Sequence, residues 1–281
     1  MPELSLGVTL AVLGAALLHA TWNAMIKASN DVLLDTTIFI VGAGAVAAPF
    51  IFFVAPPARA AWPYLAASVA FHIAYYVALV GAYRAGDFSH GYPIMRGVAP
   101  LIVAVCAVAW LGEAPKPAIW AGVLLIGCGV LSLGLTRFHW RTSRVSTGWA
   151  LTNAVIIAAY TLVDAAGVRL SGSPAGYVLW IFVLDCLPFP LVVLALRGRE
   201  FVEYGRRYWA RGLTGGVLSA AAYGIALWAM TRAPVAAVAA LRETSVIFAA
   251  LIGAYILKEG NARVRLGGAV AVLAGVIALK L

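Results

Sequence analysis

Apolar residues run along this chain in stretches of about twenty, each closed by a short polar or proline-bearing segment. A helix needs about 20 residues, at 1.5 Å each, to cross the hydrocarbon core of a bilayer. The runs predict spans near 4–26, 35–54, 63–83, 89–111 and 118–136, then near 148–169, 175–196, 209–230, 235–257 and 263–281. A basic connector, Arg137–Ser146, separates the two sets. Pro56, Pro57, Pro115, Pro117 and Pro174 punctuate connections. Pro93, Pro100, Pro188 and Pro190 fall inside spans, where each removes a backbone donor and predicts a kink. The expected fold is an all-α membrane protein of ten transmembrane helices with almost nothing outside the bilayer.

Composition agrees and narrows the classes. Of 281 residues, 63% are hydrophobic and 11% charged, which excludes a water-soluble globule, a disordered chain and a coiled coil. The net charge of +9 would suggest nucleic acid in a soluble protein; in a membrane protein it reflects the basic bias of cytoplasmic loops, and no nucleic-acid partner is expected. Thirteen Lys and Arg fall in the odd-numbered connections and five in the termini and the other connections. That bias predicts cytoplasmic odd-numbered connections, both termini outside, and a multi-pass protein of the cell inner (plasma) membrane. No cleavable signal is expected: no Lys or Arg precedes Lys27, and the first apolar run is too long. Cys106, Cys128 and Cys186 sit inside apolar runs without CxxC spacing, so neither a disulfide nor a metal site is expected.

The chain repeats itself. At an offset of 146, Arg96 matches Arg242, Leu111 matches Leu257, Glu113 matches Glu259, Gly122 matches Gly268 and Gly129 matches Gly275. Upstream, Tyr75 and Arg84 match Tyr223 and Arg232 at an offset of 148. Paired Arg and Glu in so weakly charged a chain indicate duplication, with repeats over 1–136 and 148–281 and a connector over 137–147. An odd number of spans per half reverses the second half, so the two five-helix repeats are inverted. Inverted repeats are typical of secondary transporters, because they supply two interconvertible facings. A complete inverted pair in one chain predicts a working monomer.

The stretch Tyr92–Pro115, YPIMRGVAPLIVAVCAVAWLGEAP, resembles the fourth-helix signature of the drug/metabolite transporter superfamily, an Arg-x-x-x-Pro segment leading to Leu-Gly-Glu. The second half resembles it more weakly: Arg242 lacks the following Pro, and Leu257-Lys258-Glu259 replaces Leu-Gly-Glu. Ala20-Thr21-Trp22-Asn23 resembles the Trp-containing end of the first helix. The chain is most similar to the EamA-type exporters, which include amino-acid and aromatic amino-acid exporters. The resemblance implies a basket-shaped ten-helix fold, a central cavity and alternating access.

Polar residues inside spans are costly in lipid and point to function. Arg96 and Arg242, at matching depths, either meet a substrate carboxylate or tie a helix to a neighbour. Glu113 and Glu259, at span ends, read as cap or hinge residues. His19, Trp22 and Asn23 share one face of span 1; His72, Tyr75 and Tyr76 one face of span 3; Asn153, Tyr160 and Asp164 one face of span 6; and Ser219 and Tyr223 one face of span 8. Trp22, Asn23, Tyr75, Tyr76, Tyr160 and Tyr223 therefore join the two arginines as candidate solute-binding residues. Such a lining of rings and a few polar groups suits small amphipathic solutes. His19, His72, Asp164, Asp185 and Glu243 are the candidates for proton coupling, because desolvation favours the neutral form of an acid. A local Glu243–Arg242 pair is disfavoured, since adjacent helical residues do not face each other.

No Walker motif, HExxH, Cys/His cluster or GxSxG is present, so ATP-driven pumping, metal chemistry and hydrolysis find no residues, and no cofactor is expected. Export of amino acids or similar metabolites by a secondary transporter leads. Exchange of nucleotide sugars or phosphorylated metabolites is the alternative, and it calls for more intramembrane cations than two. An integral-membrane enzyme acting on lipid, or a sensor without transport activity, would need an interfacial nucleophile or an extramembrane domain.

Overall fold

The computed structural model describes residues 4–85, 88–135, 144–255 and 262–280. Helices account for nearly all of them, and no strand occurs among the described residues. In order they are α1 (Leu6–Lys27), α2 (Val32–Ala47), α3 (Trp62–Ala85), α4 (Phe88–Leu111), α5 (Pro117–Leu135), α6 (Arg144–Leu170), α7 (Pro174–Asp185), α8 (Pro188–Arg197), α9 (Arg199–Arg207), α10 (Trp209–Met230), α11 (Val235–Arg242), α12 (Ser245–Tyr255) and α13 (Ala262–Ala278). Seven helical segments are long and apolar enough to cross a membrane. Among the described residues, two shorter apolar helices, within α5 and α13, and the consecutive pair α11–α12 bring the passes to ten. Local chemistry starts the helices: Ser5, Asp31 and Ser173 accept from the amides of Val8, Leu34 and Gly176 at 3.0–3.2 Å. Gly198, at φ 50°, turns the chain between α8 and α9.

Two passes are interrupted near their middles. The seventh is α7 and α8, of 12 and 10 residues, which part at Cys186-Leu187 before Pro188. The ninth is α11 and α12, of 8 and 11 residues, which part at Glu243-Thr244 with no proline in the break. There the amides of Glu243, Thr244, Val246 and Ile247 bond three residues back, at 2.9–3.1 Å, tightening the turn. By contrast α4 runs unbroken through Pro93 and Pro100. Proline in a span thus marks one of the two interruptions, and polar residues mark the other.

The third pass packs on the sixth and the first on the eighth; the second packs on the eighth and the seventh on the third. The fourth meets the ninth and the fifth meets the tenth. These pairs exchange when the halves are interchanged, as a two-fold relation requires. The repeated glycines face one another between α5 and α13. Cβ atoms placed on Gly122 and Gly129 would lie 2.9 and 3.1 Å from the carbonyls of Gly275 and Gly268, so each copy of the motif receives the other across α5 and α13. Gly215 and Gly216 of α10 likewise let it approach closely, against Phe39 and the Gly42-Ala43 backbone of α2.

Ionic clamps close both ends of the bundle. At the end carrying the termini, both Glu113 oxygens accept from the Val235 amide at the start of α11, at 3.0 and 3.1 Å. Arg169 donates to Glu113 at 2.7 Å and to the Met230 carbonyl at 2.8 Å. Glu113 is therefore a cap, as expected, but of a helix in the other half. At the opposite end Asp35, fully buried, accepts from Tyr204 and Arg211 at 2.8 Å, and Arg211 also donates to the Met25 carbonyl. Burial, foremost, and the Asp35 hydrogen bond push the Tyr204 phenol up, so it stays a donor at neutral pH. Most of the connector at 137–147, and Glu259, lie outside the described residues.

Candidate functional site

Contacts among these passes bring most of the singled-out residues together. On α3, His72 turns its ring toward Tyr160 of α6, with centroids 4.8 Å apart, and toward Tyr223 of α10, at 6.0 Å. Tyr75 lies edge-on to Tyr76 at 5.2 Å and to Tyr160 at 6.1 Å, and Tyr160 lies 6.2 Å from Tyr223. Tyr76 in turn packs on Phe189, one residue past the start of α8, at 4.4 Å. Four helices thus contribute rings to one cluster, largely at tilted or edge-on angles, the geometry that aromatic quadrupoles favour.

The charged groups sort themselves around this cluster. Arg96 Nε and Glu243 Oε2 meet at 2.8 Å, with side chains 8% and 5% exposed. Glu243 therefore pairs with the arginine of the other half rather than with its neighbour Arg242. Arg242, at the end of α11, places its guanidinium 5.1 Å from the centre of the Tyr223 ring. Among the described residues it has no carboxylate within ion-pair distance. Its field extends to His19, His72, Tyr75 and Tyr160. Asp164 is fully buried and accepts from Tyr177 at 2.9 Å and from Tyr223. Asp185, the last residue of α7, meets His72 Nδ1 at 2.7 Å.

On α1, His19 and Trp22 pair edge-to-face at 5.1 Å, near enough to Arg96 and Arg242 to feel both charges. Trp22 Nε1 is buried without a hydrogen-bond partner among the described residues. Asn23 points its amide back to the His19 carbonyl at 2.7 Å, which occupies one of its donors within its own helix. Asn153 donates to Met95 at 2.9 Å, and its side-chain oxygen has no partner among the described residues. Residue-type reasoning did not reach Tyr177, Phe182 and Phe189. Tyr177 stands on the Asp164 side of the site and Phe182 lies 6.4 Å from Tyr223. In an apolar run an aromatic ring carries no sign of which way it faces, whereas Asp, His and Arg do.

Comparison with known proteins decides the family. The sequence model of the EamA-like transporter family matches residues 146–281. This chain is an EamA-type member of the drug/metabolite transporter superfamily. No curated protein matches it. Among 27 matching chains of solved structures, one described as "Crystal structure of protein" aligns at TM-score 0.73 with 16% identity, over 96% of this chain and 94% of that one. At that identity the likeness concerns the fold alone, and it spans both halves. Transporters built from repeats generally hold their solutes at discontinuous helices near the middle of the membrane.

Proposed function

We propose that this transporter exports amino acids or similar small amphipathic carboxylates across the cell inner membrane by alternating access. The observation that carries the reading is Arg242, a mid-depth guanidinium resting on Tyr223 with no carboxylate partner among the described residues, beside the Tyr75, Tyr160 and Tyr223 rings. A solute carboxylate completes the charge balance, and the rings accept an apolar or aromatic side chain. Arg96 is already neutralised by Glu243, so among the described residues of the cluster Arg242 is the cation left for the solute. That argues against the alternative, a nucleotide-sugar or phosphorylated-metabolite exchanger, since a phosphate of about two charges calls for several cations. Among the described residues the site offers binding groups but no nucleophile–base pair, which favours transport over catalysis. Trp22 and Asn23 border the solute from α1, and one chain suffices.

The test is a solute panel in proteoliposomes with wild-type protein and Arg242→Ala. Neutral and aromatic amino acids are the expected solutes. Arg242→Ala removes a charge-assisted hydrogen bond of about 1.5–3 kcal/mol, so affinity falls about ten- to a hundredfold, and amide analogues lose nothing further. Flux of sugar nucleotides without amino-acid flux moves the assignment to the alternative. For orientation, a reporter fused at Leu281 should give an external signal, as the loop charges require; a cytoplasmic signal reverses both termini.

A further inference from the structure

We propose that His72 and Asp185 form the proton-binding site of this transporter, with one proton taken up at His72 in exchange for each solute released. The proposal rests on the amphipathic amino-acid reading above and adds the driving ion.

The first argument is elimination among the buried ionisable groups. Glu243 is matched by Arg96. Asp164 is fully buried and held by two phenols. Glu113 caps α11 and binds Arg169. Asp35 holds Arg211 and Tyr204 at the far end. His19 has no acid within ion-pair distance among the described residues. Among the described residues of this cluster, His72 and Asp185 are the histidine and the acid in hydrogen-bond contact, at 2.7 Å.

The second argument is position. Asp185 ends α7 at the interruption before Pro188, and His72 is in the middle of α3. The pair therefore joins an unbroken pass to the hinge of a broken one. With His72 neutral, the pair carries one negative charge; with His72 protonated, it carries none. An ionised carboxylate only accepts, so beside the Asp185 carboxylate Nδ1 carries the shared hydrogen and Nε2 takes and releases the proton.

The third argument is the route to the solute. The titratable and charged neighbours are Tyr76 on α3, Tyr160 and Asp164 on α6, Tyr177 on α7, Cys186 in the α7–α8 break, Tyr223 on α10 and Arg242 on α11. Tyr223 lies 6.0 Å from the His72 ring and also lies under the Arg242 guanidinium. A solute whose carboxylate sits at Arg242 thus carries its ammonium toward the His72–Asp185 side. The ammonium and the proton compensate the same single negative charge, so each excludes the other. Mutual exclusion of two cations at one site, in a carrier that opens to both faces, produces exchange.

The experiment compares wild type, His72→Gln and Asp185→Asn in proteoliposomes. It measures L-phenylalanine accumulation under an imposed pH gradient, phenylalanine–phenylalanine exchange without one, and internal pH with a trapped dye. The ratio of gradient-driven to exchange flux should fall at least tenfold in both variants, with loss of the solute-dependent pH change. A second arm needs no solute: purified protein moved from pH 8 to pH 5.5 in weak buffer should take up one proton fewer in His72→Gln than in wild type. Equal proton uptake in that arm, or an unchanged flux ratio in both variants, overturns the proposal. Absence of phenylalanine flux in wild type with the one-proton difference intact overturns the choice of solute and leaves the proton site standing.

Discussion

The fourth and ninth passes occupy the same place in the two halves, yet they are built differently. Each carries an arginine at the duplicated position, Arg96 or Arg242. The next residue is Gly97 in one and Glu243 in the other. In α4 a Cβ at Gly97 would lie 2.6 Å from Leu131 Cγ and 3.0 Å from the Gly127 carbonyl, so the position is closed by α5. In the ninth pass the same position reaches across the bundle to neutralise Arg96. One glutamate thus settles the fate of both arginines: it fixes Arg96 in an ion pair and leaves Arg242 to face the rings. The backbone follows the same logic. The pass with two prolines stays continuous, because its neighbours close on it. The pass without proline breaks at Glu243-Thr244, where the Thr244 hydroxyl donates to the Leu241 carbonyl at 2.7 Å.

Removing Glu243 should break the comparison most severely. Glu243→Gln leaves Arg96 charged and unpaired at 6% residue exposure, and should cost about 3–5 kcal/mol, read as a large fall in Tm of the purified protein. The double variant Arg96→Met with Glu243→Leu should recover most of that loss; if it does not, the ion pair is not what joins the two passes.

Arg242 should behave oppositely. Arg242→Ala should lower affinity for carboxylate solutes by about 1.5–3 kcal/mol while Tm stays near wild type. Equal Tm losses in Arg242→Ala and Arg96→Met would show that the two positions remain equivalent.

Gly97→Ala should cost about 1–3 kcal/mol through overpacking against Leu131, without changing solute selectivity. A neutral result would mean that α4 and α5 can separate at no cost, and would remove the packing reason for their asymmetry.

The smallest expected effect is at the turn itself. Thr244→Val removes one hydroxyl hydrogen bond and should cost about 1 kcal/mol. Exchange rate should be the more sensitive readout, because a turn that rearranges during the cycle feels each of its bonds.

Much of the fold was legible because lipid imposes it. A backbone in hydrocarbon must satisfy itself, so apolar runs of about twenty residues become helices whatever their neighbours. The duplicated glycines of α5 and α13 and the mid-span charges were legible for a related reason, each being costly unless another helix meets it. The interruption at Pro188 was also visible. The interruption at Glu243 was not, since no local signal separates a polar residue that faces a partner from one that opens a turn.

By itself the sequence determined a membrane-spanning, helical, internally duplicated chain, and the set of residues too polar to face lipid. The tertiary structure decided who meets whom. His72 finds Asp185 across 113 positions and Glu113 caps Val235 across 122, distances over which no helical period carries information. The same structure chose Arg96 over Arg242 as the partner of Glu243, because adjacent residues on a helix point apart while facing passes bring distant ones into contact.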